Sequence, residues 1–124
     1  MGCCSPGTPP NAYYEKSQAK TPGFANVVTT LTDYAALDTD TGVDARSTSA
    51  TLVTLPPNPQ EGQEFTVTAI GHATNVAAAN QTTQSIVGQA GGPPATVSVS
   101  AGTYRTFRAA VNSFATANPI VTWY

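Results

Sequence analysis

The distribution of apolar and polar positions predicts β-strands along most of the chain. In residues 50–69, "ATLVTLPPNPQEGQEFTVTA", apolar residues lie among threonines before the prolines and alternate with threonines after the glycine. A period of two is typical of half-buried strands. Pro56 and Pro57 end the first strand because proline lacks the amide hydrogen that a β-ladder needs, and we expect this bend to close one sheet edge. Gly62 suits the turn that precedes the second strand.

The same pattern predicts eight strands after residue 26. They are Val27–Leu31, Tyr34–Leu37, Thr51–Leu55, Phe65–Ile70, Ser85–Val87, Thr96–Ser100, Tyr104–Val111 and Ile120–Tyr124. Many short strands with turn residues between them indicate a sandwich or barrel. The fold class is therefore all-β, a small antiparallel β-sandwich or barrel-like domain. The spacing of Phe107, Val111 and Phe114 leaves a short helix over 105–115 as an alternative there. Alternation in the last strand directs Val121 and Trp123 into the core.

Residues 1–26 differ in composition from residues 27–124 and divide the chain into an arm and a β-domain. The arm is rich in proline and glycine and shows neither a helical nor a strand period. It nevertheless carries Tyr13, Tyr14 and Phe24, which are large apolar residues of the kind that disordered segments usually lack. We expect these three residues to bind a partner, with the arm becoming ordered on a neighbouring molecule. The alternative is a frayed terminus whose aromatic rings fold back on their own domain.

The charge content is low and limits the classes of partner. Only 10% of residues are charged, none of them lies between Glu64 and Arg105, and the formal net charge is −2. Because phosphate binding requires clustered Lys and Arg, we expect no nucleic acid partner. No apolar stretch is long enough for a transmembrane helix, so we expect no membrane association. An uncharged polar surface suits contact with copies of the same chain or with a larger assembly.

The residues that carry chemistry are sparse, and we expect neither enzymatic activity nor a cofactor or metal. Cys3 and Cys4 are adjacent, and His72 is the only further soft ligand, which does not make a zinc site. The segment "DTDTGVD" resembles the start of a calcium loop, but its glycine comes one position early and Ser49 stands where the loop needs glutamate. A turn with aspartates bonded to their own backbone is the better interpretation.

Most of the β-region resembles a module of bacteriophage virion proteins. The likeness rests on "VVTTLTDYAALDTDTGVDARSTSATLVTLPPNPQEGQEFTVT", "SIVGQAG", "ATVSVSAGTYRTFRAAVN" and "IVTWY", and it covers residues 27–124. Such modules occur in head fibres, capsid decoration proteins and tail-fibre tips, commonly as trimers. The resemblance implies a structural protein of a virion assembled in the host cytoplasm, most simply a homotrimeric capsid decoration protein that binds the major capsid protein. A tail-fibre or receptor-binding tip, or a small neck or tail adaptor, is the alternative.

Overall fold

The computed structural model describes residues 26–112 and 120–124, and these form ten β-strands in two sheets. The strands are β1 (Val27–Thr30), β2 (Tyr34–Ala35), β3 (Gly42–Ala45), β4 (Thr51–Thr54), β5 (Glu64–Ala69), β6 (Thr74–Ala77), β7 (Gln84–Ile86), β8 (Thr96–Val99), β9 (Tyr104–Val111) and β10 (Val121–Trp123). One sheet has six strands in the order β1-β3-β5-β9-β10-β7, and the other has four in the order β2-β4-β6-β8. The expected all-β class is confirmed.

The first six strands form a superhelix, called the coil below, in which each turn contributes one strand to each sheet. The chain alternates between the sheets, so that β1, β3 and β5 are neighbours in one sheet and β2, β4 and β6 are neighbours in the other. Neighbours within each of these sets are parallel. Parallel strands need a crossover connection, and here the crossover is a strand of the opposite sheet. The sheets are therefore mixed, which corrects the expectation of purely antiparallel pairing.

The second part of the chain closes the coil at one end. β8 pairs antiparallel with β6, and β9 pairs antiparallel with β5. β10 returns antiparallel to β9, and β7 lies parallel to β10 at the far edge of the larger sheet. The last turn of the coil is thus covered on both sheets. The first turn, made of β1 and β2, forms the opposite edge of each sheet.

Stacked apolar side chains from successive turns fill the space between the sheets. In the smaller sheet the register aligns Tyr34, Val53, Val76 and Val97 across four strands. In the larger sheet Phe65 lies directly opposite Phe107, and both are fully buried. Trp123 and Val121 point into the core as predicted, with exposed fractions of 0% and 7%. The strand Tyr104–Val111 excludes the helical alternative for residues 105–111.

Each predicted strand has a counterpart within two residues at either end, but two strands are new. β3 begins inside the predicted "DTDTGVD" turn, and β6 lies in a segment where we predicted no strand. The proline bend follows β4, which is an interior strand of the smaller sheet. The expectation that this bend closes a sheet edge is therefore wrong. It carries the chain from one sheet to the other, with Gly62 at a φ of 78° in the turn that follows.

Candidate interaction surface

The three aromatic residues predicted to bind a partner, Tyr13, Tyr14 and Phe24, lie outside the described residues, as does nearly all of the arm. The structure does place the point at which the arm joins the domain. Asn26 accepts a hydrogen bond from the Thr41 amide at 3.0 Å, and its side-chain amide donates to the Thr39 carbonyl at 2.7 Å. The arm therefore enters at the beginning of β1, at the open end of the coil.

The aspartates of the "DTDTGVD" segment hold this first turn of the coil together. Asp40 is buried, and its Oδ2 accepts hydrogen bonds from the Tyr34 hydroxyl at 2.6 Å and the Leu37 amide at 2.8 Å. The hydrogen bond to Asp40, followed by burial and the charge of that carboxylate, raises the pKa of Tyr34 to about 12. The bond from Leu37 agrees with the predicted turn. Asp44, however, lies in β3, which corrects its assignment to that turn.

The remaining aspartates brace this turn against β4 and the proline bend. Asp38 accepts two bonds from Asn58, one from the backbone amide at 2.8 Å and one from the side-chain amide at 3.1 Å. Asp33 Oδ1 accepts a hydrogen bond from the Leu52 amide at 2.9 Å. Because β2 is too short to pair with this amide of β4, the carboxylate satisfies it instead. These carboxylates act as fixed hydrogen-bond acceptors that join the first turn to the second.

A groove of about 590 Å³ opens beside the proline bend, where β7 and β10 begin. Pro57, Pro59 and Ile120 supply apolar surface, and Asn80 and Gln84 supply amide groups. Gln84 is buried, and its side-chain nitrogen donates to the Pro57 carbonyl at 2.8 Å. The lining is uncharged. A neutral ligand with both apolar and hydroxyl or amide groups would fit this lining.

The outer face of the six-stranded sheet carries several threonines. Thr66 and Thr106 lie opposite each other on β5 and β9, and their hydroxyl oxygens are 2.8 Å apart. Gly42 occupies the neighbouring position on β3, where an added Cβ would lie 2.8 Å from the Thr66 carbonyl oxygen. Tyr104, which is 70% exposed, lies at the end of this face. Charged side chains also lie on this face, among them Glu64 opposite Arg108.

The described residues contain no group of three or more His, Cys, Asp or Glu side chains that could hold a metal ion. His72 is exposed, and its Nδ1 lies 3.1 Å from the Ala73 carbonyl oxygen. No helix in the described part of the chain could cross a membrane.

Sequence reasoning did not find the groove or the open edge of β1. The groove is formed by segments 57–60, 79–84 and 120–121, which are distant in the sequence and meet only in the fold. The edge position of β1 depends on strand order, which alternation does not encode. The proline bend was the one local signal that could have marked the groove. No family model, curated protein or solved structure matches this chain.

Proposed function

We propose that this protein is a structural component of a bacteriophage virion, a homotrimeric decoration protein of the cement or head-fibre type attached to the capsid through its N-terminal arm. The observation that carries the proposal is the combination of a charge-poor β-domain with an arm bearing aromatic residues. The arm joins the domain beside β1, at the end away from the antiparallel strands that close the coil. The similarity to phage virion modules supports the same assignment.

Attachment through the arm follows from the physical chemistry of its residues. Proline restricts the unfolded arm and lowers the entropy lost on docking in an extended form. Tyr13, Tyr14 and Phe24 can each bury a large ring in a partner, the major capsid protein or another virion protein. Interfaces of this kind depend on a few aromatic anchors, and truncating one typically costs about 2 kcal/mol or more of binding free energy.

The test is co-sedimentation of purified protein with particles that lack it. We expect the full chain to sediment with the particles and a chain without residues 1–24 to remain in solution with an unchanged circular dichroism spectrum, because every strand of the described residues begins later. The double variant Tyr13→Ala/Tyr14→Ala should also weaken binding to the particles, but less than the truncation does. Tyr104→Ala removes an equally large, exposed ring from the domain and is the matched control. Equal sedimentation of the full and truncated chains would contradict attachment through the arm.

A homotrimer is the second element of the proposal and has its own measurement. Light scattering at micromolar concentration should give three times the chain mass of 12.7 kDa. A single-chain mass with the arm present would contradict it.

The groove beside the proline bend favours a second candidate, a tail-fibre tip that recognises a host surface. Its uncharged amide and apolar lining could accept a neutral glycan. Copy number per particle separates the two candidates, because a decoration protein is present in hundreds of copies and a fibre tip in about three to twelve.

A further inference from the structure

The two sheets have four edge strands, and the structure protects three of them. A sheet edge exposes unpaired backbone groups that can bind another strand, so folded proteins shorten, cover or charge their edges. On β7, the outward amide of Gln84 donates to the Asn80 carbonyl at 2.8 Å. The other outward amide, that of Ile86, donates to Gln89 Oε1 at 2.8 Å. Both outward donors of β7 are thereby satisfied.

The two edges of the smaller sheet are limited in other ways. On β8, the backbone groups of Thr96 form two hydrogen bonds with Ala90, each of 3.0 Å, so this strand is partly covered. β2 has only two residues, and the adjacent Asp33 carboxylate already occupies the Leu52 amide of the neighbouring strand. Neither edge offers a continuous row of backbone groups to a further strand.

β1 differs from the other three edges. The carbonyls of Asn26 and Thr30 accept hydrogen bonds from β3 and its flanks, so alternate residues face that strand. Val27 and Thr29 must then direct their amides and carbonyls away from β3. No described residue binds those groups. Val27 is 49% exposed, and Leu31, directly after β1, is 69% exposed.

The sequence of this edge contains none of the usual protection. Residues 27–31, "VVTTL", include no charged residue and no proline. β-branched residues with free backbone groups make a surface on which an extended segment can add as a further strand. β1 is thus a four-residue edge, at the root of the arm, to which a further strand can pair.

The longest proline-free stretch of the arm is more than long enough to fill this site. It runs from residue 11 to residue 21, between Pro10 and Pro22, and begins with "NAYYE". Tyrosine has a high β-propensity and forms favourable cross-strand pairs with β-branched side chains such as those of Val27 and Thr29. Pairing would give the arm backbone hydrogen bonds in addition to the burial of its rings.

The register within one chain argues against pairing of β1 with its own arm. A tight turn at Pro22 and Gly23 would align residues 15–18, "EKSQ", with β1 and carry Tyr13 and Tyr14 past its end. Glu and Lys are depleted in strands. An arm from another copy has no such restriction, because 25 extended residues can span about 80 Å.

We propose that the β1 edge binds residues 11–15 of a second copy's arm as an added strand. The inference rests on the proposed role of the arm as a binding segment. It identifies a second copy of this chain as the arm's first binding partner. Arm-to-edge contact is head-to-tail, so it can close into a ring of copies such as the proposed trimer. A particle would then bind several linked domains, and its affinity would rise through multivalency.

The first test replaces the outward donor at the centre of the edge in the full chain. Thr29→Pro removes an amide hydrogen that β3 does not use, so the domain should keep its circular dichroism spectrum. The mass measured by light scattering should fall to that of one chain, 12.7 kDa. Thr29→Val keeps the amide and the branched Cβ and should remain associated. Association of a folded Thr29→Pro protein, or a monomeric parent protein, would overturn the proposal.

A second measurement holds even if Thr29→Pro does not fold. A photoreactive phenylalanine analogue replaces Tyr13 in the full chain, and ¹⁵N-labelled and unlabelled copies are refolded together and irradiated. Mass spectrometry should find the probe joined to residues 27–31 of a copy with the other label. Crosslinks within single copies only, or to other segments only, would overturn the proposal. Neither experiment uses particles, so failure of the proposed strand addition is distinguishable from failure of the proposed attachment to the capsid.

Discussion

Trp123→Ala tests whether β10 is an integral part of the β-domain. Trp123 is the only tryptophan of the chain and is fully buried in the strand that links β9 to β7. Replacing a buried tryptophan by alanine typically costs about 3–5 kcal/mol in free energy of unfolding. Nε1 of Trp123 has no acceptor among the described residues, and an unpaired buried donor already costs about 1–3 kcal/mol. We therefore expect a loss near the lower limit, about 3 kcal/mol.

The expected loss is large for a domain of this size. Total stabilities are about 5–15 kcal/mol, and 1 kcal/mol corresponds to about 4–8 °C in Tm for domains of 60–100 residues. Trp123→Ala should therefore lower Tm by more than about 10 °C. Urea and thermal unfolding followed by far-ultraviolet circular dichroism give the measurement, since the variant lacks the fluorescent side chain. The parent protein should show coincident circular dichroism and tryptophan fluorescence transitions if it unfolds in two states.

Two further variants separate burial from other effects. Trp123→Phe keeps a ring and removes the unpaired donor, so it should cost clearly less than the alanine variant. Tyr124→Ala changes the adjacent residue, whose side chain is 58% exposed, and should change Tm little. An alanine variant at position 123 that melts within a few degrees of the parent would refute the assignment of β10 to the core.

Two other predictions concern the first turn of the coil and the outer face of the six-stranded sheet. Tyr34→Phe should cost about 1.5 kcal/mol through loss of the bond to Asp40. The pKa of Tyr34 in the folded protein, about 12, lies above its ordinary value of about 10. The stabilisation by this hydrogen bond is therefore complete below pH 10 and disappears as pH rises towards 12. Denaturation of the parent and the variant across this range should show the difference in their free energies of unfolding shrink. Gly42→Ala should cost about 1–3 kcal/mol, because its Cβ would lie 2.8 Å from the Thr66 carbonyl. Thr68→Ala, on the same face, should be close to neutral, and equal melting of the two variants would contradict the steric argument.

The strands that the sequence predicts are those in which apolar and polar residues alternate along the strand itself. β5 and β9 show it directly, because each has one buried face and one exposed face. β3 has the composition of a turn, with glycine and aspartate inside "TGVDA", yet it forms a strand because Val43 is held between Val28 and Val67 by its neighbours. Tertiary contacts override local preference at such a position.

The parallel coil could not be read from the sequence. Short strands joined by short connections usually pair as antiparallel hairpins, and the sequence contains the turn residues that such hairpins use. Here the connection after β1 leads across the core to β2 before the chain returns to β3. Whether a connection closes a hairpin or crosses between sheets depends on long-range packing, so the candidate surface at β1 appears only once strand order is known.

The coil explains why the arm and the open edge lie together. In a coiled stack each turn contacts only its neighbours, and the terminal turns need a cap to avoid further stacking. β8 and β9 supply that cap at one end by pairing antiparallel with the last turn. At the other end β1 retains outward backbone groups, and the next residues along the chain belong to the arm. A segment that pairs with β1 would complete the cap and join one molecule to the next. The residues that stabilise the fold would then also determine where the protein assembles.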